Sequence, residues 1–244
     1  ILNSSLDMLG GQYASANIGQ AGERVYVNAK TGNLVIQRRD EWLAGLGLNT
    51  AAVRTYNSQG EADEVDGDNW RLGLYKSILI SSLTGERNQP GSSIKKRNGD
   101  GSESTFYYSP EQQAYISTDG DGAHDVLKFE PNAEHGEQWV WYADDNSYRE
   151  VYDANGRLTQ VVDSNDHRLT YQYGGELLSE IIDSSGQVTR LVYQNNKLDR
   201  IETDSDGQTT AVTHYRYDAL DRLASVIVDL SPEDALDSNN DGVV

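Results

Sequence analysis

Cysteine is absent from the 244 residues. That removes disulfides, thiolate nucleophiles and cysteine-ligated zinc. Proline is scarce, with 4 residues, and positive charge is short: 20 Lys and Arg face 39 Asp and Glu, a formal net charge of -19 at pH 7. So acidic a surface repels phosphate backbones and anionic lipid heads, which argues against nucleic acid as a partner. The one basic cluster, Lys95-Lys96-Arg97, is followed by Asn98-Gly99-Asp100 and reads as a solvated turn rather than a binding patch. Long apolar runs are missing too. No stretch approaches the roughly 18 apolar residues that would span a bilayer as a helix, and no basic-then-apolar leader opens the chain. No amphipathic pattern of helical period outlasts about two turns.

What is present is 15 Tyr, 4 Trp and 23 Gly in a chain only 36% hydrophobic. Disordered chains are poor in aromatics. A polar sequence rich in Tyr, Thr, Val and Gly instead implies many short strands joined by tight turns, an all-β fold. Three regions follow: an irregular lead-in over 1–24, a β-rich region over 25–147, and a repetitive one over 148–244. In the second, "VYV" and "NLVIQ" flank Thr31-Gly32 as a hairpin would. "EWLAGLGL" reads as one helical turn or an irregular link, its two glycines weighing against a helix. "IKKR", "ESTFYYS", "AYIST", "VLKFE", "EQWVWYA" and "SYREVY" are strand-like. The Met-less start and the acidic stop suggest a piece of something longer.

From residue 148 the chain repeats. Leu158, Leu178, Leu198 and Leu223 are each followed three residues later by Val161, Ile181, Ile201 and Val226. The first three leucines are 20 residues apart and the last step is 25. Tyr152 heads the first unit with Gly156 and Arg157, and Tyr173, Tyr193 and Tyr217 follow the first three leucines. Each unit fits two strands and two turns, and "RLTYQY" alternates with Leu169, Tyr171 and Tyr173 on one face. One hairpin is marginal in water, so units of this size must pair edge to edge into a growing sheet. A compact β-sandwich with coincidental repetition is the competing reading, hard to reconcile with four units in register.

The pattern resembles the RHS/YD-repeat family, whose units run approximately Tyr-Asp-x-x-Gly-Arg-Leu-Thr-x-Val-x-Asp-x-x-Gly-x-x-Thr-x-Tyr-x-Tyr. "YDANGRLTQVVD" (152–163) matches nearly every position. "YDALDRLASV" (217–226) keeps Tyr217, Asp218, Arg222 and Leu223 but carries Asp221 in place of Gly, and "YGGELLSEIIDSSGQVTRLVY" (173–193) lacks the Arg. Upstream, "TGNLVIQRRDEWLAGLGLNTAAVRTYNSQG", "NWRLGLY" and "RNGDGSESTFYYS" are similar to the lead-in of such proteins. The resemblance implies a strip of antiparallel β-hairpins, curved or part of a hollow shell. It also implies a secreted or cell-surface bacterial protein whose partners are the remainder of its own longer chain or an encapsulated toxin or effector. Other members are adhesins, and the family has also been read as carbohydrate-binding. The aspartate-protease-like cleavage motif of cargo-releasing members is not found in this sequence.

Candidate chemistry is sparse. His124, His135, His167 and His214 fall in no ligand spacing, and no paired acids stand out among the 39. The expectation is a non-enzymatic, structural segment, with a glycan-binding adhesin module as the alternative. Glycan binding would use the most concentrated aromatics, Trp139, Trp141 and Tyr142, with Trp139 and Trp141 on one strand face: buried rings would be wall, and rings lining a groove could hold a sugar. Calcium is the one cofactor suggested. Asp237, Asn239, Asp241 and Gly242 follow the start of a D-x-[DN]-x-[DN]-G loop, where alternate oxygens wrap a hard cation, but no acid stands at its twelfth position. "TDGDGAHD" offers Asp119, Asp121 and Asp125, and Asp66, Asp68, Asp204 and Asp206 are weaker candidates. In each case an acidic, Gly-rich hairpin loop is the plainer reading. If calcium binds, millimolar calcium raises the melting temperature and a chelator lowers it. A melting curve unmoved by both removes calcium.

Overall fold

A sheet buries apolar surface only if every backbone N–H and C=O finds a partner, and a meander meets that need from sequence neighbours. This computed structural model is built so. It describes residues 15–17, 24–27, 32–43, 48, 50–58, 69–117, 124–134, 136–143, 147–205, 207–229 and 232. Among them lie nineteen strands, all antiparallel to their neighbours, and no helix. No described helix is long and apolar enough to cross a membrane.

Two sheets are formed. The first runs β1 (Ser15–Asn17), β2 (Arg24–Val27), β3 (Leu34–Leu43), β4 (Thr50–Asn57) and β5 (Trp70–Leu72), in that order. β2 and β3 pair as the Thr31-Gly32 pattern implied, Val27 opposite Leu34. The start of "EWLAGLGL" is strand rather than helical turn: Glu41-Trp42-Leu43 complete β3 opposite Thr50–Ala52, after a register shift beyond Arg39. The second sheet takes fourteen strands in chain order. Its first half is β6 (Ser77–Thr84), β7 (Ser93–Arg97), β8 (Glu103–Ser109), β9 (Ala114–Ile116), β10 (Val126–Ala133), β11 (Gly136–Tyr142) and β12 (Tyr148–Asp153). Its second half is β13 (Leu158–Asp163), β14 (Arg168–Gly174), β15 (Leu177–Asp183), β16 (Val188–Gln194), β17 (Lys197–Ser205), β18 (Gln208–Tyr217) and β19 (Leu223–Asp229).

The second sheet is a curved strip, not closed into a barrel. One face is apolar along its length. Ile94, Phe106, Tyr115, Leu127, Trp139, Tyr152, Leu158, Leu178 and Ile201 are buried there in one cluster, which Ala52, Leu72 and Leu74 join from the first sheet and its exit. The sheets are also tied by charge. The buried Asp40 carboxylate on β3 accepts hydrogen bonds from the Arg54 guanidinium and, at 3.2 Å, from the Tyr215 hydroxyl on β18.

The repeat has a specific geometry. Leu158 and Val161 are both buried although three residues apart, and a regular strand would send them to opposite faces. A bulge resolves this: Val151 faces Gln160, but Tyr152 faces Leu158, so Thr159 is the extra residue. The bulge recurs where Tyr173 meets Leu178, Tyr193 meets Leu198 and Tyr217 meets Leu223. Leu158, Leu178 and Leu198 thus hold equivalent places in successive rungs. The last three of these tyrosines reach back one rung: the hydroxyls of Tyr173, Tyr193 and Tyr217 donate to the carbonyls of Leu158, Leu178 and Leu198 at 2.8, 2.8 and 3.1 Å. The extra residue is used as well. Thr159 Oγ1 donates to Val151 O and Ser179 Oγ to Gln172 O, each at 3.1 Å.

The turns from β12 onward are of two kinds. One is a five-residue loop organised by aspartate: Asp153, Asp163, Asp183 and Asp218 each accept, through Oδ1, the backbone N–H groups two and four residues on. Its fourth residue has positive φ, supplied by Gly156, Asp166, Gly186 and Asp221. Arg157 and Arg222 close back on Asp153 and Asp218, and this bond from Arg222 holds the Asp218 carboxyl at about 2. The other kind is a two-residue reversal such as Asn195-Asn196, both at positive φ as tight hairpins require.

The tyrosine ladder carries a testable energy. Tyr173→Phe keeps the ring and strands the Leu158 carbonyl, so urea unfolding should show a loss of about 1–2 kcal/mol. Tyr107→Phe, at an exposed position, should change stability by less than about 0.5 kcal/mol.

Candidate functional site

The curl of the strip brings β7 over β11 and β12, and the polar chemistry of the interior gathers there. "SYREVY" alternates Tyr148, Glu150 and Tyr152 on the inner face, so strand parity drives a carboxylate into the core. Glu150 is fully buried. Its oxygens take the Lys76 ammonium, the Lys96 ammonium at 3.1 Å and the Tyr152 hydroxyl at 2.6 Å. Lys96 is itself 3% exposed, lies 4.3 Å from the centroid of the Trp141 ring and donates to Asn98 Oδ1 at 2.7 Å. The expectation of a solvated Lys95-Lys96-Arg97 turn is therefore corrected. These residues lie in β7, whose parity puts Lys96 beside Ile94 on the buried face while Lys95 and Arg97 pair with Glu103 on the other.

Two ammoniums share one carboxylate, and their environments differ. Burial pushes the Glu150 carboxyl up, but Lys76 and Lys96 together outweigh it and hold it at about 2. Burial lowers Lys96, only partly offset by Glu150. For Lys76 burial also lowers, yet the pull of Glu150 wins and the ammonium is held above its usual range. Burial and the adjacent Glu150 charge keep the Tyr152 phenol protonated. A buried ion group of this kind costs desolvation and yields geometric specificity: it fixes which part of β7 lies over β12.

Around it lies an aromatic cluster. Tyr115 and Phe129 pack on Trp139 at 5.4 and 4.9 Å between centroids, and Tyr148 packs on Trp141 at 5.3 Å. Trp139 and Trp141 share a strand face, as the alternation implied, and are 0% and 6% exposed. They are wall by the criterion set above, with no face open to a sugar ring. Tyr142 points the opposite way, half-buried under Lys128, so the structure does not bring the three aromatics together.

Of the calcium candidates, Asp66, Asp68, Asp119, Asp121, Asp206, Asp237, Asn239 and Asp241 lie outside the described residues. Asp125 is half-buried just before β10, and its charge acts on Lys96. Asp204 pairs with Arg190 and accepts from Thr209. Among the described residues no cluster of three His, Asp or Glu is placed to hold a metal ion. His167 caps the Asp163 turn at 2.9 Å. His214 is lowered first by burial and then by Arg216. Sequence reading missed Glu150, Lys76 and Lys96 as a set. The available signal was a charged residue at an inward parity position, between Tyr148 and Tyr152 and beside Ile94.

Comparison with known families matches residues 152–188 to the model described as RHS Repeat, and residues 25–106 to a Domain of unknown function (DUF6531). No curated protein matches the chain.

Glu150→Gln leaves the buried Lys96 and half-buried Lys76 ammoniums facing a neutral amide. Denaturant unfolding should show a loss of about 3–5 kcal/mol, against a much smaller loss for Glu176→Gln at an exposed turn. Because folding lowers the Glu150 carboxyl from its ordinary 4.5 to about 2, its contribution is complete above pH 4.5 and disappears as pH falls toward 2. The acid limb of the stability profile should flatten in Glu150→Gln, and an unchanged limb would assign acid unfolding to other carboxylates.

Proposed function

Because this chain belongs to the RHS/YD-repeat family, we propose that it is a length of wall in a longer exported protein, enclosing or presenting an effector carried elsewhere on that protein. The observation that carries this reading is the strip itself. Fourteen strands stack in chain order, and between β12 and β19 the same Tyr–Leu pairing recurs at four of the strand pairs. Such a sheet extends by adding hairpins at its end, and among the described residues no strand pairs with the outer edge of β19. Among the described residues, charged and polar side chains serve turns, outer-face ion pairs such as Arg190 with Glu180, and the buried group around Glu150. That distribution suits a scaffold without catalytic chemistry. Export to the cell surface or medium fits the same reading. No observation favours the glycan-binding alternative, whose chosen indoles are buried.

The repeated leucines are the residues on which a wall depends. Leu178→Ala should cost about 2–5 kcal/mol, and Leu158→Ala and Leu198→Ala a similar amount. The functional test uses the full-length protein under limited proteolysis. An enclosed effector resists cleavage in the wild type and becomes cleavable when Leu158→Ala and Leu178→Ala are combined. An effector region cut equally fast in both proteins overturns enclosure.

A further inference from the structure

The link between the two sheets, residues 73–76, together with Ser77 and Ile78 at the start of β6, is gripped on both sides. At one end the Gly73 N–H donates to Val53 O at 2.7 Å, and the Gly73 carbonyl presses on Gly99, in the turn after β7, so closely that a β-carbon there would overlap its oxygen. At the other end the Ile78 N–H donates to Gly156 O at 2.8 Å, and Ser77 bridges Arg157. A β-carbon on Gly156 would overlap the Ile78 carbonyl oxygen. Between these ends the Tyr75 hydroxyl meets the Tyr193 hydroxyl on β16, Lys76 meets Glu150 on β12, and Leu74 is buried in the main core. The Arg71 guanidinium holds the Tyr75 carbonyl. A connector needs none of this. Six residues make backbone contacts with two separate turns and side-chain contacts with two further strands of the repeat.

We propose that residues 73–78 are a hasp: a strap seated across the mouth of the curled strip, between the turn after β7 and the turn after β12, that sets the strip's curvature. The ladder of rungs specifies which strands pair but leaves the bend of the sheet soft. The hasp fixes that bend by holding two places that the ladder itself separates by five strands. The inference rests on the strip's geometry and is independent of whether the wall encloses an effector.

The family's own turn supplies the control. Gly156 and Gly186 occupy the same position in the same aspartate turn, at φ of 83° and 88°. Gly186 has open space where a β-carbon would go, whereas Gly156 has the hasp. Alanine strains the turn equally at both sites and displaces the strap only at Gly156. Hydrogen exchange and small-angle scattering on the intact chain read the difference. Gly156→Ala should speed exchange about tenfold in β6–β8 and in β12–β16 together and enlarge the radius of gyration. Gly186→Ala should act only at its own turn. Should Gly156→Ala fail to fold, Lys76→Met with Tyr75→Phe removes the side-chain grip while Lys96 still neutralises Glu150, and the same joint rise is expected at smaller amplitude. Gly156→Ala and Gly186→Ala changing only their own turns would overturn the hasp. So would a folded Lys76→Met, Tyr75→Phe protein with unchanged exchange and radius.

Discussion

A tyrosine hydroxyl resting on the leucine carbonyl of the preceding rung is the contact on which this architecture rests. A plain antiparallel ladder holds neighbouring strands by backbone bonds alone and says nothing about where one hairpin sits on the last. Here the bulge at each Tyr–Leu pair shifts parity by one residue. Leucine and the valine or isoleucine three residues later then face the same core. The same bulge interrupts the ladder and makes the leucine carbonyl available to the tyrosine of the next hairpin. Packing, register and polar satisfaction are solved by one local irregularity, repeated.

The aspartate turns work in the same manner. One carboxylate gathers two backbone N–H groups, and where arginine or histidine follows it takes that side chain too. The turn then demands a positive φ four residues into the loop, met by glycine at 156 and 186 and by aspartate at 166 and 221. Asp221 is thus the departure from the repeat pattern that its turn tolerates, since aspartate reaches the left-handed region more readily than most residues. Glycine at 156 answers a second need, closeness to Ile78, that no other turn of this kind shares among the described residues.

Much of this was legible in the sequence, and the reasons divide cleanly. The all-β class and the hairpin strip follow from turn chemistry and from the twenty-residue spacing of leucines, because both report local backbone geometry. The three-residue step from Leu158 to Val161 was visible but unexplained, since a bulge is a property of two paired strands and cannot be read from one. Lys96 was misplaced for a related reason. Charge clusters are usually solvated, and only the curl of the sheet, a long-range property, turns one member of the cluster into the core. Trp139 and Trp141 were rightly put on one face, but whether that face met solvent or protein depended on β7 and the 85–92 loop folding over it. Arg87 stacks on Phe129, and Asn88 bonds the Tyr115 hydroxyl. The acidic loops that suggested calcium lie almost wholly outside the described residues.

The strap between the sheets also bears on the order in which the molecule can assemble. Nearly every strand pairs with the one synthesised just before it, so hairpins can zip on one at a time as the chain emerges, with little loop entropy to overcome at each step. Lys76 and Tyr75 are different: their partners Glu150 and Tyr193 lie 74 and 118 residues downstream. Those contacts cannot exist until the later hairpins are in place. The ribbon would therefore grow first as a pliable band and acquire its final bend only when the early segment catches the late rungs, a closing click at the end of a processive build.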